Sequence, residues 1–259
     1  MVLTFLDAGS CGRLLRRSRI PFAICYLLSL RSGAYAHRVI RPAVPSDAPP
    51  AVPLILKAIG SIAFILTGTT DPKEAGLILD QFFRQKGNRI SYENALVLED
   101  WLEPVSDGAL EQSPEGSLEP NRHDRPERRR EVVGVALIYD GSVARRLDEP
   151  LEQAAILKSG QSDYCIPTEA EPSEFYLDTV SVDPKCQGRG FGRDLIAASC
   201  EHAHKRGHDR IGLLVDIGNS GAKRLYERLE FRVEGRKQIA GCEYLHMVRR
   251  LTPLRGDSK

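Results

Sequence analysis

Residues 174–192 read Glu-Phe-Tyr-Leu-Asp-Thr-Val-Ser-Val-Asp-Pro-Lys-Cys-Gln-Gly-Arg-Gly-Phe-Gly, and their order decides the fold. Phe175, Leu177, Val180 and Val182 mark the apolar run of a strand, which Asp183-Pro184 ends. The glycine-rich turn 187–192 then opens a helix. A strand that feeds such a turn into a helix N-terminus makes an anion site. The first helical N–H groups lack partners, and the macrodipole concentrates partial positive charge there. Gly188, Gly190 and Gly192 let the backbone approach a phosphate with no side chain in the way.

Phosphate loops differ in what closes the turn. A P-loop needs Gly-Lys-Ser/Thr, which Gly192-Arg193-Asp194 does not supply. The dinucleotide fingerprint needs a third glycine where Arg193 stands. The pattern that fits is Gln/Arg-x-x-Gly-x-Gly/Ala, met by Gln187, Gly190 and Gly192 directly after Leu-Asp-Thr-Val-Ser-Val-Asp-Pro. In that setting the turn resembles the acetyl-CoA pyrophosphate loop of the GNAT N-acetyltransferase superfamily. The chain downstream carries the second half of the resemblance. Arg210–Asp216 is another apolar strand, followed by Asn219, Ala222, Tyr226 and Phe231 in the register of the family's Asn-x-x-Ala-x-x-x-Tyr-x-x-x-Gly-Phe. The family's glycine is replaced by Glu230. Glycine suits a left-handed helix stop, so a glutamate either strains that stop or ends the helix another way.

The resemblance covers about residues 38–252. It implies an α/β fold with a mixed, mostly antiparallel central sheet of about seven strands flanked by helices, in which a splayed strand pair holds acetyl-CoA. The strand bearing Asp178 and the next one part at their carboxyl ends, and the pantetheine arm enters the gap much as an added strand would. By resemblance, the backbone at Val180, Ser181 and Val182 holds pantetheine and polarises the thioester carbonyl. Gln187, Gly188, Arg189, Gly190, Phe191 and Gly192 hold the pyrophosphate, with Arg189 or Arg193 adding a charge-assisted contact. Asn219 bonds the same molecule, although alone it would read as a helix cap.

Acetyl transfer to an amine requires a deprotonated amine, a stabilised oxyanion and a proton for the leaving thiolate. Tyr226 stands where the family keeps its general acid, and a phenol with an ordinary pKa near 10 holds its proton at neutral pH. Without that register it would read as a helix tyrosine packed beside Leu225 and Leu229. Two readings of Asp178 stay open. Strand alternation puts it on one face with Glu174, Tyr176 and Val180, where it could take the amine's proton directly or through water. It could equally bond neighbouring backbone. Glu93 is a rival base on a neighbouring strand. His204 and His208 share a helical spacing but read as solvated surface, and no metal site is expected.

Around this core, His37–Arg41 reads as a first strand. A helix capped by Ser46 or Asp47 follows, with Val52, Ile55, Ile59 and Ile62 on its apolar side. Asp71-Pro72-Lys73-Glu74 starts a second helix, whose apolar face is Ala75, Ile78, Leu79 and Phe82. Ser91–Leu98 and Glu131–Tyr139 read as a hairpin, interrupted by a proline-rich, charged insertion at 104–130 with the composition of a disordered loop. Residues 141–172 form a long connection with weak helical periodicity over Leu147–Leu157. Phe231–Ile239 and Glu243–Leu251 close the sheet, and 253–259 is a tail.

Thirty-six Lys and Arg oppose 35 acids, so a net charge of +1 argues against nucleic acid or an anionic membrane as partner. The six cysteines show no Cys-x-x-Cys pair and read as free thiols. Residues 1–37 have the outline of a targeting segment: arginines, then the short apolar run Ile20–Leu30, then Ala34-Tyr35-Ala36. They fit better an upstream extension from an early start, and since acetyl-CoA is an intracellular metabolite the expected place is cytoplasmic. The leading expectation is an N-acetyltransferase acting on a small-molecule primary amine, as a monomer or homodimer. A peptide or protein amine is an alternative acceptor, and a non-catalytic acyl-CoA-binding module is an alternative function.

Overall fold

In a computed structural model that describes residues 38–101 and 130–251, one sheet organises the chain. The expectations for 1–37, for the insertion 104–130 apart from Arg130, and for the tail 253–259 lie outside the described residues. The strands are β1 (Val39–Pro42), β2 (Ala95–Trp101), β3 (Arg130–Asp140), β4 (Phe175–Val182), β5 (Arg210–Asp216), β6 (Arg232–Ile239) and β7 (Cys242–Arg250). They form a seven-stranded sheet in the order β1-β2-β3-β4-β5-β7-β6. Every neighbouring pair is antiparallel except β4 and β5.

Helices cover both faces. On one lie α1 (Ala48–Ile59), α2 (Ile62–Thr67), α3 (Pro72–Arg84) and α4 (Ala144–Ser159). Ile55, Leu79, Phe83 and Leu151 from that layer pack with Val97, Val135 and Leu137 of the sheet. The other face carries α5 (Phe191–Lys205) and α6 (Ser220–Arg228). There Leu195, Ile196, Ala222 and Tyr226 pack with Leu98, Ala136, Leu177, Val180 and Val215. Among the described residues no helix is long and apolar enough to cross a membrane.

Local chemistry accounts for most element boundaries. The Asp71 side chain accepts from Lys73 N at 2.9 Å and caps α3, with Pro72 at the first helical position. Asp47 precedes α1 but leaves its N-terminus to pair with Arg41, at 2.7 Å. The expected helix through Ile62 breaks at Gly60, whose φ of 54° ends α1 and separates α2. The buried face of α3 uses Phe83, while Ile78 and Phe82 are half-buried. The hairpin strands pair from Ala95↔Leu137 to Trp101↔Arg130. Residues 92–94 are instead a 3₁₀ turn, capped by Ser91. The weakly periodic connection after β3 contains the long helix α4 despite Pro150 in its interior. There tertiary burial of Leu147, Leu151 and Ala155 overrides the proline penalty.

The end of α6 resolves the question raised by Glu230. Phe231 N donates to Tyr226 O at 3.0 Å and Glu230 N to Glu227 O at 3.1 Å. This is the bond pair of a Schellman stop, and Glu230 occupies its left-handed position with a φ of 69°. The accompanying apolar contact is Tyr226 against Phe231, with ring centroids 5.7 Å apart. A side chain in this conformation costs roughly 1–2 kcal/mol, part of which glycine would lose again to its freer unfolded chain. Glu230→Gly should therefore stabilise the protein by about 0.5–1 kcal/mol. Thermal unfolding should show the midpoint rising by about 2 °C; a lower midpoint would mean that the Arg249 contact of Glu230 outweighs the strain.

Candidate functional site

β4 and β5 are paired only at Phe175↔Ile211 and Tyr176↔Gly212. Beyond those positions β4 keeps β3 as neighbour up to Gly134↔Val182, while β5 continues along β7 to Asp216↔Tyr244. The two strands therefore part, and from Leu177 onward the edge of β4 toward β5 has backbone groups outside any ladder. The closed end of this V is fastened from below. The fully buried Glu174 carboxylate lies over Gly212, where a Cβ would stand 2.2 Å from it. His246 Nε2 of β7 lies 3.0 Å from both of its oxygens.

At the point of parting β4 carries a β-bulge. Ile138 pairs with Leu177 and Leu137 with Thr179, leaving Asp178 as the extra residue. The simple alternation expected for this strand fails here. Tyr176 joins the cluster with Tyr139 and Tyr244, whereas Val180 joins Phe175 and Leu177 on the α5 face. Val180, Ser181 and Val182 are buried and form the open-edged limb of the V.

The turn after β4 supplies its second element. Gly188 and Gly190 have φ of 76° and 85°, and Gly190 is the N-cap of α5. No heavy atom lies within 4 Å of where a Cβ would stand on either, so the turn presents bare backbone to open space. Gln187 Nε2 donates to Val182 O at 3.4 Å, tying the turn back to its strand. Arg189 donates to Asp100 at 2.6 Å and lies 4.6 Å over the Phe191 ring, whose other visitor is Arg38 at 4.9 Å. Arg38 in turn pairs with Asp194. Of the two arginines expected to meet phosphate, Arg193 is exposed and Arg189 is engaged with Asp100.

Beyond β5, Asn219 Oδ1 accepts from Ala222 N at 3.0 Å and caps α6, the role it would have on its own. Tyr226 sits one helix layer above the V, in the cluster containing Val180, Val182 and Phe191. No described residue hydrogen-bonds its hydroxyl. Burial pushes the phenol well above its ordinary value, so it holds its proton across the neutral range.

Of the two readings left open for Asp178, the geometry follows the structural one, since the side chain is taken up by buried neighbours. Its Oδ2 accepts from Tyr139 Oη at 2.9 Å and from Arg89 Nε at 3.1 Å and Nη2, and its Oδ1 accepts from Thr179 Oγ1 at 2.9 Å. Both oxygens of this buried carboxylate are thus engaged by neighbouring side chains. Glu93, the rival candidate, lies in the exposed turn before β2 and accepts from Gly87 N. Arg89 itself escaped sequence reading. Arg89 is buried between α3 and β2, and it binds Asp148 of α4 at 3.3 Å and Glu169 at 3.0 Å besides Asp178. Tyr176 Oη donates to Glu169 at 3.0 Å. Nothing in the local sequence distinguishes Arg89 from the other basic residues, because its partners lie 59 to 89 positions away. Among the described residues no group of His, Cys, Asp or Glu side chains is arranged to hold a metal ion.

The sequence profile of the acetyltransferase (GNAT) family matches residues 98–231, which contain the V, the glycine turn and Tyr226. The chain belongs to the GNAT family. Its members use acetyl-CoA as co-substrate. A solved acetyltransferase that is 27% identical superposes with a TM-score of 0.59 over 83% of this GNAT chain and all of its own. An N-acetyltransferase from Staphylococcus aureus, 20% identical, shares the fold with a TM-score of 0.57 over 82% of the chain and all of its own. Among curated relatives, an N-acetyltransferase of Methanocaldococcus jannaschii is 40% identical over 75 residues, 29% of this chain and 31% of the relative. A mycothiol acetyltransferase of Thermobispora bispora is 48% identical over 52 residues, 20% of this chain and 18% of the relative. The chain thus spans less than a third of the length of these two relatives.

The charges behind the V have a measurable consequence. Burial raises the Asp148 carboxyl to about 6, opposed by Arg89 and reinforced by Asp178 and Glu169. A raised carboxyl binds its proton more tightly in the folded chain than in the unfolded one. Its contribution to stability is therefore fully present below its ordinary value of 3.8 and is lost as pH rises through about 6. Asp148→Asn should gain on the wild type between pH 4.5 and 7.5, by on the order of 1 kcal/mol in urea unfolding. A stability difference that stays constant over this range would show that Asp148 is ionised as easily in the folded state as outside it.

Proposed function

We propose that this chain transfers an acetyl group from acetyl-CoA to a primary amine of a small molecule, with Tyr226 as general acid. The observation that carries the reading is the parting of β4 and β5 beside a bare-backbone turn at the start of α5. The residues fit the co-substrate. The free edge of β4 at Val180, Ser181 and Val182 accepts an extended pantetheine as an added strand. The turn 187–192 and the unpartnered N–H groups of α5 face the pyrophosphate, with Arg193 available as a cation.

Acetyl-CoA, when bound, supplies an acetyl group activated as a thioester. Backbone N–H of the β4 edge then points at the carbonyl oxygen, where negative charge gathers as the amine attacks. The acceptor arrives as the neutral amine. Its nitrogen forms the new C–N bond, the C–S bond breaks, and the proton released by nitrogen goes to water. Tyr226 donates its hydroxyl proton to the departing sulfur and recovers one from solvent.

A small acceptor is favoured by how the remaining segments close. Lys237 of β6 donates to Glu169 O at 2.7 Å and pairs with Glu171 at 2.6 Å. Tyr164 Oη donates to the backbone of α2 at Phe64 and Ile65. The segment before β4 is thus strapped to both the β6–β7 hairpin and α2, which favours an enclosed acceptor site over an open groove for a polypeptide. Relatives named as mycothiol acetyltransferases support the same choice.

Two variants test the reading. Gly190→Val places a branched side chain where phosphate must approach, in a folded variant whose acetyl-CoA affinity should fall tenfold or more by calorimetry. Unchanged affinity would remove the turn from the binding site. Tyr226→Phe keeps the ring and deletes one hydroxyl. Its kcat should drop roughly 10²-fold with acetyl-CoA binding intact. The high-pH limb of the wild-type profile should lie above the ordinary tyrosine value and vanish in the variant. A Phe variant with wild-type kcat and an unaltered limb would leave Tyr226 a packing residue.

A further inference from the structure

We propose that Arg89 is a positioning residue for the acetyl-transfer site: by clamping Asp178 at the bulge, it fixes the direction in which β4 leaves β5. This inference rests on the reading of the V as the thioester site. The bulge follows immediately on the last β4–β5 pair, Tyr176↔Gly212, so Asp178 stands at the vertex of the V. A bulged residue has no partner of its own in the ladder, so between the paired Leu177 and Thr179 its direction depends on what grips the side chain. Arg89 provides that grip through two nitrogens, with Tyr139 and Thr179 completing the bonds of the carboxylate.

The guanidinium does not hold Asp178 alone. It also binds Asp148 of α4 and Glu169 of the segment leading into β4, and it lies 5.9 Å over the Tyr139 ring. Arg89 N donates to Leu147 O at 3.1 Å, so the backbone of the clamp is fastened to α4 as well. One rigid, planar cation thus ties α4, the segment before β4 and the bulge to a common centre. Stability alone is a poor reason for such a centre, since buried ion networks are often matched or bettered by apolar packing. Setting a strand direction is a better one. Misplacing a reacting group by about 1 Å can cost on the order of 10²-fold in rate.

The test uses Arg89→Lys, which keeps the charge and loses the fork, together with Asp178→Asn and Tyr139→Phe, which each remove a single feature and keep the shape. In folded variants, amide hydrogen exchange over 177–182 should accelerate tenfold or more while β6 and β7 keep their wild-type rates. Steady-state assay should give a kcat lowered tenfold or more, with acetyl-CoA affinity by calorimetry within about threefold of wild type, because the phosphate turn lies at the far end of β4. Tyr139→Phe deletes one hydroxyl and keeps the ring, so it serves if the charge variants fail to fold. A folded variant with wild-type exchange over 177–182, or with faster exchange but wild-type kcat, overturns the proposal. So does a kcat loss matched by an equal loss of acetyl-CoA affinity. If the wild-type protein neither binds acetyl-CoA nor transfers acetyl, the proposed function fails, while the exchange data still decide whether Arg89 fixes the strand.

Discussion

The shape of the candidate site depends on β4 being shared unequally between its neighbours. It pairs with β3 along its whole length and with β5 only at its first two positions. Two parallel strands normally remain paired because each open N–H or C=O in a buried sheet is costly. Here the cost is accepted along one edge, at Leu177 and beyond, and that edge is where an extended molecule can complete the sheet. The turn at Gly188 and Gly190 and the start of α5 lie at the open end of the same strand. The open edge and the bare-backbone turn thus follow from one chain direction.

The parting is held at two heights by buried charge. Glu174 and His246 close the bottom of the V around Gly212, which leaves room for a carboxylate that no larger residue would. Arg89 and its carboxylates grip the vertex. Both devices lie on the face of the sheet away from α5, so the face that would carry the phosphate turn stays apolar beneath Phe191, Leu195 and Tyr226. Separation of this kind lets one face be tuned for charge and the other for packing. Tyr226 gains from it: the apolar layer that keeps its phenol protonated is held by the Schellman stop, with Phe231 packed on its ring.

The fold and the glycine-rich half of the candidate site were legible in the sequence because their signals are local. The strand ending at Asp183-Pro184, the turn 187–192, the strand Arg210–Asp216 and the capped helix bearing Tyr226 each declare themselves within a few residues, through periodicity, glycine and capping. Even the misfit of Glu230 was visible, although only the backbone could show that the left-handed stop is kept and the strain accepted. Boundaries that depend on packing were read less well. The connection 141–172 shows only weak helical periodicity over Leu147–Leu157, yet 144–159 form a whole helix because Leu147, Leu151 and Ala155 are buried together.

The role of Asp178 was beyond the sequence. Alternation put it on a face and left it a choice between base and structural bond; one extra residue in β4 changed the face of Val180, and an arginine 89 positions away in sequence occupied the carboxylate. A bulge is a property of two paired strands, and a buried ion cluster is a property of several elements meeting, so neither leaves a periodic trace in one segment. The sequence by itself determined the order of elements, the bare-backbone turn and the placement of Tyr226, since backbone conformation is set by neighbours in the chain. Only the tertiary structure decided where β4 leaves β5 and which charge holds it there, because distant residues must be folded together before they can act on one another.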